Sequence, residues 1–189
     1  MILPIYAYGH PILRKVGQDI AADYPQLEQL IANMWETMYH TRGMGLAAPQ
    51  IGLAIRLFVI DTLQLDKDDR GDVVTSHYVK QCFINPEIIE EAGKDWAYEE
   101  GCLSIPDVRG KVNRAPQLLI QYLDENFQPQ NKIFDGITAR VIQHEYDHIE
   151  GILFTDHLTM LKKQLVSRQL NQITRGEYSG KYKMVFAQK

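Results

Sequence analysis

The stretch Gln143-His144-Glu145-Tyr146-Asp147-His148 sets two histidines four positions apart, with a glutamate directly after the first. On an α-helix, four residues advance about 400° and rise about 6 Å. The two imidazoles therefore stand roughly 40° apart on one face, one turn above the other. Glu145 falls about 60° from His148, near enough to reach a water on a bound ion without being an obligatory ligand. A bare H-E-x-x-H also occurs by chance on surface helices. Here Ile137 and Val141 project on the histidine side, Ile142 and Ile149 lie on an adjoining side, and Phe134 and Ile152-Leu153-Phe154 bracket the segment. A helix apolar over that much of its circumference is a buried one. Buried histidines beside a buried glutamate need partners, and a metal ion supplies them. The pattern predicts this helix over about Gly136 to Glu150.

A third ligand has to come from elsewhere. Metzincin proteases take it from a histidine six residues after the second, but Phe154 stands there, although Gly151 fits their glycine. Gluzincin proteases use a later glutamate, yet from Thr159 onward the only acidic residue is Glu177, in a loop-like setting. The strongest remaining candidate is upstream, in Glu99-Glu100-Gly101-Cys102-Leu103-Ser104. A Cys102 thiolate with two histidines leaves a fourth position open for water, as catalytic sites of this kind require.

The chain has 189 residues, enough for one domain with a sizeable core, and a hydrophobic fraction of 45%. No run approaches the roughly 18 apolar residues of a membrane span, and the start Met1-Ile-Leu-Pro-Ile-Tyr lacks the basic n-region of a signal peptide. Two cysteines without an export signal argue against a disulfide and for a cytoplasmic protein. The net charge of -4 is uneven: from Thr159 to Lys189 seven Lys/Arg face one Glu, giving +6 and leaving -10 for residues 1–158. A solvated helix face explains that basic end simply; contact with an anionic partner such as RNA is the sharper reading.

In chain order, Tyr8-Gly9-His10-Pro11 is a turn and Leu13 to Ile20 an irregular opening. A helix begins around Asp23-Tyr24-Pro25 and carries Leu27, Leu30, Ile31, Met34, Trp35 and Met38 at threes and fours, ending near Arg42-Gly43. Gly43 to Gly52 is a tight, small-residue segment in which Gln50 offers an amide donor. Arg56 to Ile60 reads as a buried strand. Asp61 to Val79 is an acidic excursion containing Asp66, Asp68, Asp69, Asp72 and a chemically idle His77. Cys82 to Ile89 suggests strand, turn, strand, with Cys82 a small buried residue. Trp96 to Ile105 leads through Cys102, and Gln117 to Leu123 is a strand closed by a turn at Asp124-Glu125-Asn126. A last helix from Thr159 to about Gln172 carries Leu161, Leu165 and Ile173 on one side, and Lys181 to Phe186 is a strand or ordered tail. The sum is an α+β fold: antiparallel β-sheets around a central metal-binding helix, with an N-terminal and a C-terminal helix, forming one domain over residues 1–189.

Three segments taken together resemble the peptide deformylase family. Gly43-Met44-Gly45-Leu46-Ala47-Ala48-Pro49-Gln50 is similar to its first motif, Glu100-Gly101-Cys102-Leu103-Ser104 to its second, and Gln143 to His148 to its third. All three occur unbroken and in order, with weaker likeness at Pro11-Ile12-Leu13-Arg14, Asn85-Pro86 and Leu123-Asp124, so the resemblance covers nearly the whole chain.

The resemblance implies metal-dependent removal of the formyl group from formyl-methionyl nascent peptides, releasing formate. Cys102, His144 and His148 would hold one divalent ion, Fe(2+) natively, with Zn(2+) or Ni(2+) replacing it in preparations; by softness alone the donor set also suits zinc. Glu145 would move the water's proton, and the Gln50 amide and Leu103 backbone N–H would receive the developing oxyanion. Gly45 and Gly101 would leave room for an extended substrate backbone, with Met44, Tyr98 and Val141 around its first side chain. Asp147 and Glu100 are candidates to fix a ligand, with Arg109 a partner for Glu100. Ribosome contact through the basic end is a further expectation; no DNA or membrane partner is expected. A metallopeptidase and a binding protein with a structural metal are the alternatives. The first gains if Cys102 is away from the histidines. The second needs a fourth protein ligand, for which His157 is the nearby spare.

Overall fold

The computed structural model describes residues 1–65, 78–178, 180 and 182–187. In chain order its elements are β1 (Ile5–Tyr6), α1 (Leu27–His40), β2 (Gly45–Ala47), β3 (Leu57–Asp61), β4 (Lys80–Ala92), β5 (Trp96–Cys102), β6 (Ile105–Arg114), β7 (Gln117–Leu123), β8 (Pro129–Asp135), α2 (Gly136–Ile149), α3 (Met160–Thr174) and β9 (Met184–Val185). Asp66, Asp68, Asp69, Asp72 and His77 of the acidic excursion lie outside the described residues, as do Lys181 and Lys189.

The architecture is the expected α+β. Strands β2-β3-β4-β7-β8 form one antiparallel sheet, β5-β6 an antiparallel pair, and β1-β9 a parallel pair. Period-two alternation decides which side chains the sheets turn inward. In β7, Leu118, Ile120 and Tyr122 are buried; in β6, Val108, Gly110, Val112 and Arg114 are buried while Asp107, Arg109, Lys111 and Asn113 face out. Helix α2 covers the five-stranded sheet and is buried over most of its circumference, from Ile137 and Ala139 through Val141 and Ile142 to His148 and Ile149. Beneath it Phe58, Phe83, Tyr122 and Phe134 form an aromatic layer, with Phe58 and Phe83 stacked at 4.7 Å. Each buried aliphatic or Phe side chain there contributes about 1.5–3 kcal/mol of hydrophobic stabilisation. A polar residue at Ile142 would reverse that term at the centre of the molecule.

Several boundaries differ from the sequence reading. Helix α1 starts at Leu27, two residues after Pro25, because Gln26 adopts a left-handed conformation (φ 55°). Residues 82–89 are not strand, turn, strand: β4 runs straight through, with an irregular register between Ile84 and Glu87. Asn85 (φ 47°) absorbs the irregularity, and its amide exchanges two hydrogen bonds with the Ile20 backbone at 2.9 and 2.8 Å. Asparagine tolerates that backbone region better than most side chains. Gly43 to Gly52 holds the short strand β2 and a 3-10 turn at Ala48–Ile51 rather than loop alone. In α3 the buried face is Val166, Leu170 and Ile173, whereas Leu161 and Leu165 are 70% and 67% exposed. Ile173 lies twelve residues beyond Leu161, which carries it about 120° around the helix.

Candidate active site

Helix α2 holds His144 and His148 with ring centroids 5.1 Å apart and planes nearly perpendicular, at 81°. Cys102 ends β5, where the hairpin register slips between Gly101 and Cys102. The thiol is thereby carried to the histidines, with Sγ 3.2 Å from His148 Nε2. One ligand atom each from Cys102, His144 and His148 lie within 4.8 Å of one another. Ions with bonds of about 2.0–2.3 Å separate tetrahedral ligand atoms by roughly 3.5 Å, so the thiol–imidazole spacing suits a single ion.

The charges around this group favour a thiolate at Cys102. Burial alone would push the Cys102 thiol up, but the His148 charge and hydrogen bonds to His144 and His148 bring it down to about 5. The histidines thus favour the thiolate, the form that ligates metal. His144 Nδ1 is 2.9 Å from Glu100 Oε2, which leaves Nε2 for the cluster. Glu100 is buried and accepts from Arg114 Nε at 2.8 Å and Nη2 at 3.0 Å, and from Arg140 Nη1 at 3.0 Å. Burial would raise its carboxyl, but hydrogen bonds from His144 and Arg114 outweigh burial and hold it well below the usual carboxylate range. Arg140 also donates to Val112 O at 3.0 Å and Trp96 O at 2.7 Å. Arg114 reaches Asp147 Oδ2 at 2.8 Å, and His157 Nε2 meets the same oxygen at 2.8 Å.

These pairings correct one expectation and decide another. Arg109 is not the partner of Glu100: it stands opposite Gly101 on the outward face of β6, while the parity of that strand turns Arg114 inward. His157 is engaged with Asp147, and the cluster that could hold a metal comprises three residues among those described, without His157. His10 caps the Pro11–Arg14 turn by accepting from Ile12 N–H at 3.2 Å.

Glu145 is buried next to the histidines. Burial pushes its carboxyl up to about 7, against the pull of His144 and His148, and Oε2 has no hydrogen-bond partner among the described residues. A buried carboxylate oxygen without a partner is costly, and a bound ion or its water would satisfy it. Gly45 makes the space: a Cβ there would collide with the Glu145 carboxylate. Gln50 is buried, and Ala47 N–H donates to its Oε1 at 2.8 Å. That bond assigns the amide, so Nε2 is the atom 3.5 Å from both Cys102 Sγ and Ser104 Oγ. Leu103 and Ser104 are the two-residue tip of the β5–β6 hairpin, between the paired Cys102 and Ile105. Gly101 needs no glycine for packing, since a Cβ there would meet Arg109 only at 3.6 Å. Met44 and Val141 share one apolar cluster, and Tyr98 stands beside Trp96 at 5.2 Å, two residues from Glu100 along β5.

The sequence reading missed Arg114, Arg140 and Ser104. Arg140 was findable, being four residues before His144 on one helix. Arg114 becomes visible only with the hairpin register, and Ser104 only with the amide of Gln50 in place.

An α+β scaffold with a Cys-His-His cluster at the foot of a buried helix, and a glutamate inside the same pocket, defines a hydrolase site of the metal-binding class. Residues 2–164 match the family model described as Polypeptide deformylase. The peptide deformylase of Christiangramia forsetii is 53% identical over 189 residues, covering 98% of this chain and 96% of its own. That of Flavobacterium johnsoniae is 53% identical over 193 residues, covering 99% and 97%. Among solved structures, a peptide deformylase from Legionella pneumophila superposes with a TM-score of 0.80 at 36% identity, covering 94% of this chain and 98% of its own. The peptide deformylase from Plasmodium falciparum also gives 0.80, at 34% identity, covering 91% and 95%. The chain belongs to the polypeptide deformylase family.

Proposed function

We propose that residues 1–189 act as one catalytic domain in which Cys102, His144 and His148 hold a divalent ion and Glu145, Gln50 and Leu103 carry the reaction. The activity is that of the family: metal-dependent hydrolysis of the N-terminal formyl group of newly synthesised polypeptides. The observation that carries the residue assignment is the Cys102–His144–His148 cluster with Glu145 buried beside it.

When bound, the ion supplies an acidified water and an electrophile for the formyl oxygen. Glu145 takes the proton of the attacking water and returns it to the departing amine. Gln50 Nε2, oriented by the Ala47 N–H, and the Leu103 backbone N–H receive the oxyanion. Glu100 holds His144 in the tautomer that presents Nε2. Strand β2 is an edge of the five-stranded sheet, so an extended substrate adds along Met44 and Gly45, passing Gly101, with Val141 beneath its first side chain. Fe(2+) is the native ion in this reading, and Zn(2+) or Ni(2+) a substitute, because the family resemblance points to iron while the donor set accepts all three. Iron beside a thiolate makes the site oxygen-sensitive.

The protein acts in the cytoplasm in this reading; no helix among the described residues is long and apolar enough to cross a membrane. Its basic α3, with Lys162, Lys163 and Arg168, contacts the ribosome. Salt-independent ribosome binding, or binding undiminished after neutralising those three residues, would remove that contact.

The test of the site is hydrolysis of a formyl-methionyl peptide by protein prepared anaerobically with iron(II), beside Glu145→Ala. Formate release by the unaltered protein, abolished in the variant with the metal retained, is the expected result. Internal peptide-bond cleavage would turn the assignment toward a peptidase, and tight metal without turnover toward a structural site.

A further inference from the structure

Beyond α3 the chain returns to its N-terminal segment. Strand β9 pairs in parallel with β1, Met184 opposite Ile5 and Val185 opposite Tyr6. Ile5 N–H donates to Lys183 O at 3.0 Å, and Ala7 N–H to Val185 O at 2.8 Å. Tyr182, just ahead of β9, packs beside Leu103 against the core around α1. Its hydroxyl donates to the Leu103 carbonyl at 2.8 Å. The same hairpin tip is tethered by Tyr8 N–H, which donates to Ser104 O at 2.8 Å, and by Gln50 Nε2 near Ser104 Oγ. Segments from three distant parts of the sequence thus converge on the two residues that follow Cys102.

We propose that Tyr182 is a positioning residue for deformylation: its hydroxyl fixes the Leu103 carbonyl and, through that residue's two backbone dihedrals, the direction of the Leu103 N–H. This rests on the assignment of that N–H as an oxyanion donor. Planar peptide units leave only φ and ψ of Leu103 between the two groups, so a restraint on one limits the other. An oxyanion donor acts at about 2.7–3.1 Å from the developing charge, and a small drift there weakens the transition state more than substrate binding. Tyr182 lies beyond residue 164, where the match to the family model ends, so the chain brings this tether from outside the matched segment.

The test is Tyr182→Phe in the full-length, iron(II)-loaded protein, which keeps the ring and removes one hydroxyl, with Met184→Leu as a packing control in the same segment. Loss of one hydrogen bond predicts a fall in kcat of roughly three- to tenfold with KM within about twofold. In zinc-loaded protein the 13C resonance of the Leu103 carbonyl moves in Tyr182→Phe and stays in place in Met184→Leu. An unchanged kcat, or kcat, KM and Tm shifting together alike in both variants, overturns the proposal. A separate arm isolates the underlying assignment: replacing the Leu103 amide by an ester deletes the N–H. Full kcat in that ester would dismiss the oxyanion role whatever Tyr182→Phe does, and no formate from the unaltered protein would dismiss deformylation itself.

Discussion

Arg140 and His144 stand one turn apart on α2, and both terminate on the carboxylate of Glu100, Arg140 at 3.0 Å and His144 at 2.9 Å. The helix that carries His144 thus also carries a cation that holds the carboxylate orienting its ring. Arg114 closes the arrangement from β6 and passes it on to Asp147. The buried Glu100 and the half-buried Asp147 face two buried guanidinium groups, which makes the burial of these charges tolerable.

Glu100→Gln keeps the shape but weakens the acceptor that orients His144. Metal affinity, measured by chelator competition, should fall about 10- to 100-fold. Arg140→Met should destabilise the protein by roughly 2–4 kcal/mol in denaturant titrations, since it strips a buried carboxylate and two carbonyls of a donor. Affinity unchanged in Glu100→Gln would mean that His144 is oriented by other groups.

Glu145→Gln leaves the pocket filled while removing the proton acceptor. Turnover should drop about 10²- to 10⁴-fold, with metal content and Tm close to those of the unaltered protein. Activity within a few-fold of normal would take the base role away from Glu145.

Gly45→Ala drives a methyl group into the Glu145 carboxylate. The buried carboxylate has to give way, so stability should fall by about 1–3 kcal/mol and turnover by at least about tenfold. Calorimetry and formate release on the same preparation check both; a variant of normal rate would show that Glu145 has room to move.

Acid should loosen the link between the N-terminal turn and the segment after α2. Asp156 accepts from Arg14 Nη2 at 3.1 Å and from Leu153 N–H at 2.8 Å. Burial would raise its carboxyl, but the Arg14 hydrogen bond and the Leu153 N–H hold it below the usual value. A depressed carboxyl stabilises the fold above its unfolded value of about 3.9 and loses that contribution as pH falls through the folded value. The pair is partly exposed, so the contribution is below about 1 kcal/mol. Urea midpoints between pH 7 and pH 3 should fall less steeply in Asp156→Asn; identical slopes would remove Asp156 from the acid response.

The helix with its two histidines, the strand Gln117 to Leu123 and the convergence of Cys102 on the histidines were legible because each rests on local periodicity or on donor chemistry. Strand β8 was not, since only Phe134 of its seven residues is buried and an edge strand needs little apolar patterning. Strand β6 escaped because the Ile105-Pro106 signal reads as a stop, whereas Asp107 (φ 61°) turns the chain back into pairing. The expected partner of Glu100, Arg109, faces outward in β6, and only the hairpin register shows that Arg114 takes its place. Leu161 and Leu165 share a helix face, but the core lies on the other side of that helix.

The tether at Leu103 also sets an order of events in synthesis. Tyr182 follows Leu103 by 79 positions. At about 5–20 residues per second, the hairpin tip leaves the translation machinery on the order of four to sixteen seconds before the side chain that steadies it. A growing copy of this chain therefore carries Cys102 and both histidines before the Tyr182–Leu103 hydrogen bond can form.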